Sequence, residues 1–397
     1  MWLTAVVARQ WWLQVALISV AGLIFVHLCG LIGTEVLAPA RGWSEGAQAV
    51  EGIGQADSWE GRFARWDSGY YLQIAQTGYS PDGAERSFPP LYSLVSAAVS
   101  RILSLPLLWA GLLVSAGCYV AANMFLYSWV LIDYRPQIAR WAVVWLCAFP
   151  MSFFFTAFYA EPLLLLTAVA GTYFARRGNF IASALAIALA GATRPFAFLL
   201  AVPYALEFWQ QHDPSRRRRL GFVAGLVVAP LGTLSYVLFL AVQSGTIDLL
   251  AFREAGATEW KGFFLSWPWI TLRDGIDAAL FGKGIAPGDW FSSVLVWQDL
   301  TYALLGLALA IWALFHLRPS ISVYLLVGVL YFYTSHGPTG HAFWSTPRHV
   351  ASLFPIYLAL ALLTSRLPSQ YRWLAVAVSI GLLGLSSAWF ASGRWVS

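Results

Sequence analysis

Apolar runs recur from near the start of the chain to its last residues, and this constrains the fold more than any other feature. By run length they fall near residues 12–36, 106–131, 141–159, 162–176, 180–193, 196–211, 220–241, 291–315, 320–334, 349–365 and 372–390. A straight helical span of a bilayer needs about 20 predominantly apolar residues. Only 11% of residues are charged and 59% are apolar, against about 25% charged in soluble domains, so the chain has too little polar surface to face water all round. No Ser/Pro/Gly-rich linker, internal repeat or low-complexity tract divides it. The expectation is an all-α polytopic membrane protein of about eleven transmembrane helices, one domain over residues 1–397. Several runs fall short of a full span. Short, proline-interrupted helices survive in a bilayer only inside protein or around a cavity, so the interruptions at Glu161-Pro162 and Thr193-Arg194-Pro195 mark a cavity wall.

Arginine sets the orientation. With the N-terminus inside, the inner face holds Arg9, Arg135, Arg140, Arg176, Arg177, Arg216 to Arg219, Arg318, Arg366 and Arg372 against Asp133, Glu207 and Asp213. Every short inner loop then carries Arg, as the positive-inside rule requires. Residues 88–105 are moderately apolar but contain Pro89, Pro90 and Arg101. A full crossing there would turn Arg216 to Arg219 outward, so the segment reads as a re-entrant or juxtamembrane helix. The outer face takes two long loops, about 37–105 and 242–290, and a third near 335–348. Chemistry is expected there.

Several function classes are excluded. A net charge of +5 is no nucleic-acid signal, and the run Arg216 to Arg219 beside an apolar segment is a cytoplasmic anchor. Cys29, Cys118 and Cys147 sit in apolar runs without a CxxC, so neither disulfide nor zinc site is expected. The first apolar run continues from Trp11 past Leu31, too long for a signal-peptide core. No P-loop, GxGxxG, GxSxG or HExxH occurs. A catalyst on the outer face without a nucleotide motif needs a lipid-borne activated substrate.

The densest polar cluster runs from Arg65-Trp66-Asp67-Ser68-Gly69-Tyr70-Tyr71 to Tyr79. Two roles are open to Asp67: helix cap, or general base for an attacking sugar hydroxyl. Trp66, Tyr70, Tyr71 and Tyr79 suit a sugar platform, and Arg65 suits sugar binding or interfacial anchoring. Glu161, in Phe158-Tyr159-Ala160-Glu161-Pro162, is a carboxylate at a depth where charge is expensive and usually functional; capping or pairing with an Arg is the alternative. Arg194 either pairs with Glu161 or binds phosphate, for which a guanidinium is well shaped. Arg348 opens a later span, where it binds a lipid phosphate or snorkels. His336, His341 and His349, at spacings of five and eight in a Gly/Pro loop, fit no familiar zinc motif; a phosphate or sugar contact is the simpler role. The second outer loop, with Glu254, Glu259, Trp260, Lys261, Trp267, Trp269, Arg273 and Asp274, reads as Trp-rich pieces resting on the membrane.

These residues resemble a family. Arg65-Trp66-Asp67-Ser68-Gly69-Tyr70-Tyr71 with Ile74-Ala75 and Gly78-Tyr79 is similar to the signature of the second mannosyltransferase of glycosylphosphatidylinositol-anchor synthesis and its bacterial relatives, which are GT-C glycosyltransferases. Ser87-Phe88-Pro89-Pro90-Leu91-Tyr92, Phe149-Pro150 with Tyr159-Ala160-Glu161-Pro162, Ala192-Thr193-Arg194-Pro195 and Pro347-Arg348-His349 with Phe354-Pro355 follow in order. The resemblance implies a GT-C bundle with a long first extracytoplasmic loop. It implies an inverting enzyme of the plasma membrane, without cofactor or required metal, that uses a polyprenyl-phosphate sugar donor, typically of mannose. The acceptor is a glycan or glycolipid hydroxyl. It makes Asp67 the catalytic base and Glu161 the second acidic residue. Arg348, Arg194 and His349 fall to the donor phosphate, and Arg65, Trp66, Tyr70, Tyr71, Phe88, His336 and His341 to sugar or acceptor. Two departures stand out: His349 replaces an aromatic, usually Tyr, and Ala160 a common Ser. The rival readings are the same fold with glucose, galactose or arabinose on the carrier, a lipid-linked sugar flippase or transporter, and an inactive assembly subunit.

Overall fold

The computed structural model describes residues 10–37, 58–80, 83–211, 215–245, 264–337 and 340–396. Glu254, Glu259, Trp260 and Lys261 of the second outer loop lie outside the described residues. The architecture is helical, with one two-stranded sheet among the described residues. The helices are α1 (Trp11–Val36), α2 (Ser68–Thr77), α3 (Leu91–Leu103), α4 (Leu107–Val130), α5 (Pro136–Ala148), α6 (Glu161–Arg176), α7 (Phe180–Gly191) and α8 (Ala201–Gln210). They continue as α9 (Arg216–Val228), α10 (Leu231–Ser244), α11 (Pro268–Phe281), α12 (Trp290–His316), α13 (Pro319–Tyr333), α14 (Thr346–Ser352), α15 (Pro355–Ser365) and α16 (Ser369–Ala391). Strand β1 (Phe264–Leu265) pairs antiparallel with β2 (Ser335–His336), Phe264 opposite His336, and so ties the second outer loop to the third.

Most apolar runs coincide with helices, for the reason the sequence gives: long stretches of Leu, Ala and Val bounded by Pro or Gly. The differences fall at prolines and aromatics. The run read as a span over 141–159 is helical only to Ala148. Pro150 and the crowded Phe153-Phe154-Phe155 then force a 3-10 turn at Ser152–Phe155 and irregular backbone to Ala160, all of it buried. The run over 196–211 likewise begins as a 3-10 turn, Pro195–Leu200, before α8 forms. Helices α14 and α15 bend by 81° at Leu353-Phe354-Pro355, since a proline at the start of a helix cannot continue the preceding one.

Among the described residues five helical stretches are long and apolar enough to cross a membrane by length and composition: Trp11–Val36, Leu107–Val130, Arg216–Gln243, Trp290–His316 and Ser369–Ala391; the bent α14–α15 pair, taken as one span, makes a sixth. Their outward faces are apolar. Leu17, Ile24, Leu28 and Ile32 line one side of α1, and Leu374, Val378, Leu382 and Leu385 one side of α16, all exposed. Faces of this kind cost free energy in water and none in lipid, so the chain is a multi-pass membrane protein. Helices α1 and α16 pack against each other so closely that a Cβ on Gly33 would overlap Ala388. The buried core runs through α4, α5, α6, α7 and α15 and surrounds the irregular 149–160 segment.

Candidate active site

Four backbone ties gather the polar residues. Phe158 N–H donates to Phe63 O at 2.9 Å. The Ser68 hydroxyl donates to Phe158 O at 2.9 Å. The Tyr159 hydroxyl donates to Arg65 O at 3.0 Å. These three stitch the start of α2 to the irregular segment leading into α6, so Asp67 faces Glu161. Leu91 N–H donates to Ala192 O at 3.0 Å, which holds the turn after α7, and with it Arg194, against the first outer loop. Arg348 arrives on α14, whose short helix is fixed by the 81° bend behind it.

The result is a buried quartet of charges. Arg348 Nη1 lies 2.6 Å from Asp67 Oδ2 and Arg194 Nη2 2.5 Å from Glu161 Oε1. The pairs cross over: Arg194 Nη2 is 3.8 Å from Asp67 Oδ2 and Arg348 Nε 3.6 Å from Glu161 Oε1. Asp67, Glu161, Arg194 and Arg348 are only 7%, 2%, 8% and 6% exposed. Two carboxylates and two guanidiniums balance in charge, which is the condition for burying any of them. Glu161 opens α6, where the positive end of the helix dipole favours an anion.

Aromatic faces complete the lining. Arg194 lies over Tyr71 and Phe88, 5.7 and 5.8 Å from the ring centres, and Arg348 over Phe154 and Tyr159 at 5.4 and 5.8 Å. Tyr70 stacks on Phe88 at 4.9 Å. Such cation–π contacts are attractive and keep the guanidiniums flat against the wall. Tyr71 Oη, Glu161 Oε2 and Arg194 Nε are buried with no hydrogen-bond partner among the described residues. Native interiors rarely leave such atoms unpaired, so their concentration at one place marks a polar ligand site.

The side-chain contacts bear on the alternatives left open by the sequence. Asp67 occupies the cap position of α2, yet its side chain makes no cap hydrogen bond; it is turned to Arg348 instead. Arg194 pairs with Glu161. Both segments supplying the Asp67–Arg348 pair carry a non-glycine residue in the left-handed region just upstream, Trp66 (φ 56°) and Ser345 (φ 63°). Conformations of this kind cost about 1–3 kcal/mol and persist where the surroundings over-determine them, often at functional sites.

Other expected site residues lie around the quartet in different roles. Arg65 donates to Ala391 O at 3.1 Å and fastens the loop to α16. His349 stacks on Phe332 at 4.6 Å and meets Phe196 edge-on. His336 Nε2 lies 3.1 Å from Asp274 Oδ2 on α11. His341 packs edge-on to Trp344 at 5.0 Å. Nothing in the sequence sets Trp344 and Trp395 together with Trp66, nor signals a second ionic knot. In that knot Glu207, fully buried, accepts from Arg318 Nε at 3.1 Å, from Arg176 Nη1 at 3.4 Å and from the Ser320 hydroxyl, while Arg176 also meets Asp133 at 2.5 Å. Its position at the far end of α6 from Glu161 puts about 24 Å of helix between the two clusters.

Comparison with known proteins bears on the assignment. Residues 35–212 match the family model of mannosyltransferase (PIG-V), just under half of the chain and the part that carries Asp67, Glu161 and Arg194. Among solved structures the fold is similar to ArnT from Cupriavidus metallidurans in the apo state, at 12% identity over 84% of this chain and 71% of that one, TM-score 0.49. It is similar also to the Archaeoglobus fulgidus oligosaccharyltransferase in the apo form, at 12% identity over 96% of this chain and 56% of that one, TM-score 0.47. A structure of that archaeal protein with an inhibitory peptide and a dolichol-phosphate matches at 12% identity over 95% and 56%, TM-score 0.44. The chain thus spans little more than half the length of the archaeal protein. No curated protein matches it. Over residues 35–212 the chain is thus similar to mannosyltransferase (PIG-V).

Proposed function

We propose that the protein transfers mannose from a polyprenyl-phosphate donor to an acceptor hydroxyl on a glycan or glycolipid, on the extracytoplasmic side, with inversion. The observation that carries this reading is the 2.6 Å contact between the Asp67 carboxylate and the Arg348 guanidinium: a base and an oxyanion receptor share one buried place. The acceptor oxygen attacks the anomeric carbon as Asp67 takes its proton. The bond from that carbon to the phosphate oxygen breaks on the opposite face, and polyprenyl phosphate leaves with one further negative charge. Arg348, with Arg194, meets that charge as it develops, which is where preorganised donors lower a barrier most. The donor phosphodiester competes with Asp67 for Arg348, so donor binding releases the carboxylate to act as base. Glu161 holds Arg194 in place.

The distribution of charge supports this side of the membrane. Asp133, Arg176, Glu207 and Arg318, all assigned to the inner face by arginine counting, meet in one knot. Asp67, Glu161, Arg194 and Arg348, all assigned outward, meet in the other. That segregation supports a cytoplasmic N-terminus, about eleven crossings with α3 dipping from outside, and a bacterial plasma-membrane location. The test is to incubate purified protein in lipid nanodiscs with polyprenyl-phosphate mannose, glucose, galactose and arabinose and a mannoside acceptor. Consumption of the mannose donor is expected. Consumption of another sugar alone would replace mannose, and consumption of none would overturn the reading.

A further inference from the structure

Three tryptophans from distant parts of the chain meet, two of them on the segments that carry Asp67 and Arg348. Trp395 meets Trp66 edge-to-face with ring centres 5.0 Å apart and stacks on Trp344 at 5.3 Å and 28°. Trp66 directly precedes Asp67, and Trp344 stands four residues before Arg348, so the segments that carry two of the rings also carry the two members of the Asp67–Arg348 pair. All three rings are partly exposed, unlike the fully buried Tyr71, Phe154 and Tyr159 behind the guanidiniums. The segment carrying Trp395 is built into place. Gly393, at φ 81°, reverses the chain after α16, with Arg394 N–H donating to Trp389 O at 3.0 Å. Gln298 Nε2 donates to Val396 O, and Val396 is only 1% exposed. A tail held at both sides of one tryptophan presents that ring deliberately.

We propose that Trp344 and Trp395, extending Trp66, form an aromatic wall that binds the pyranose ring of a substrate sugar. This rests on the reading of the protein as a sugar transferase. A pyranose has an apolar C–H face and a rim of hydroxyls. The wall offers large flat apolar surface of the kind that binds well at little entropic cost. The rim finds polar partners at the same place: Asp67 next to Trp66, and His341, which packs edge-on to Trp344. His341 Nδ1 is buried and has no hydrogen-bond partner among the described residues. An apolar wall with a few convergent polar groups is the usual composition of a small-molecule site. An acyl chain would use the wall but leave His341 unpaired, whereas a sugar satisfies both. The wall is therefore a specificity device assembled from the first outer loop, the third outer loop and the C-terminal segment.

The experiment measures binding to the protein in lipid nanodiscs by native mass spectrometry with three probes. They are polyprenyl-phosphate mannose, the same polyprenyl phosphate without sugar, and methyl α-mannopyranoside as a mimic of the acceptor ring. The wild-type protein binds the mannosyl lipid more tightly than the bare lipid phosphate, or binds the methyl mannoside, or both. Trp395→Ala and Trp344→Ala weaken the sugar-dependent part at least tenfold, about 1.4 kcal/mol, and leave the bare lipid phosphate unchanged. Trp395→Phe keeps most of the sugar binding, which separates loss of a platform from loss of folding. Weakening of the mannosyl lipid alone assigns the ring to the donor, and weakening of the methyl mannoside alone to the acceptor. Both alanine variants matching wild-type on every probe, while wild-type keeps its sugar preference, overturns the wall alone. Wild-type indifference to sugar in both arms overturns the sugar-transfer reading and the wall with it.

Discussion

Arg348 Nη1 lies 2.6 Å from Asp67 Oδ2 across 281 residues of sequence. The contact keeps two opposite charges buried together at the mouth of a helical bundle, and each holds the other where it is needed. Under the proposed function it also sets up a competition, because a donor phosphate and the Asp67 carboxylate would share the same guanidinium.

Replacing Arg348 therefore acts first on the donor. Arg348→Ala is expected to raise the Kd for polyprenyl-phosphate mannose at least tenfold, with the acceptor KM little changed. Arg348→Lys recovers only part of the affinity, since an ammonium lacks the planar fork that matches phosphate. Titration of the purified variants with donor checks this. An unchanged donor Kd in the alanine variant would assign Arg348 to holding Asp67 alone.

Arg194 and Glu161 form the second pair, 2.5 Å apart and almost fully buried. Removing one member of such a pair strands the other, at a cost of about 3–5 kcal/mol. Glu161→Gln and Arg194→Met are each expected to destabilise strongly, and the double variant by clearly less than the sum. Thermal unfolding in detergent measures the coupling. Strict additivity would show that the two side chains do not depend on each other.

The Glu207 knot predicts the opposite separation of effects. Glu207 is fully buried and accepts from Arg318, Arg176 and Ser320, at the end of α6 away from the site. Glu207→Gln is expected to lower the unfolding temperature in detergent, because Arg318 loses its counter-charge and Arg176 keeps only Asp133, while turnover per folded molecule changes less than about twofold, a surface-like effect on the barrier. A large loss of turnover at full stability would tie the knot to the reaction.

His341 gives a pH dependence. Burial pushes its imidazole below the ordinary histidine range, and the nearby Asp289 offsets this only in part. A histidine depressed in the folded state contributes stability above its unfolded value near 6.5, and that contribution is lost as pH falls through the folded value. The outer loop around Trp344 is thus expected to loosen below about pH 6.5. Tryptophan emission followed through an acid titration, wild-type against His341→Gln, reports it. The transition should disappear in the variant; its persistence there would assign the change to another group.

Much of this arrangement is legible in one sequence and some is not. Helix positions follow from run length and punctuation, so α1, α4, α6, α7, α12, α13 and α16 lie close to their expected ranges. The failures at 149–160 and 195–200 occur where prolines and clustered phenylalanines break the helix inside an apolar run. Asp67, Glu161, Arg194 and Arg348 stand out because charge within apolar sequence is costly. Their pairing does not, since it depends on how four non-adjacent segments pack. Glu207 looks like an ordinary helix-end acid until α8 is laid against α6 and α13. Trp395 is one tryptophan among 21, and only the reversal at Gly393 turns it toward the site.

Single-turnover transfer by Asp67→Asn in nanodiscs, with donor binding measured on the same preparation, bears most directly on the proposed chemistry. Loss of a general base costs about 10²–10⁴-fold in rate, while the neutral amide no longer competes for Arg348, so donor binding stays as tight as wild-type or tightens. Transfer at the wild-type rate in that variant would contradict the account.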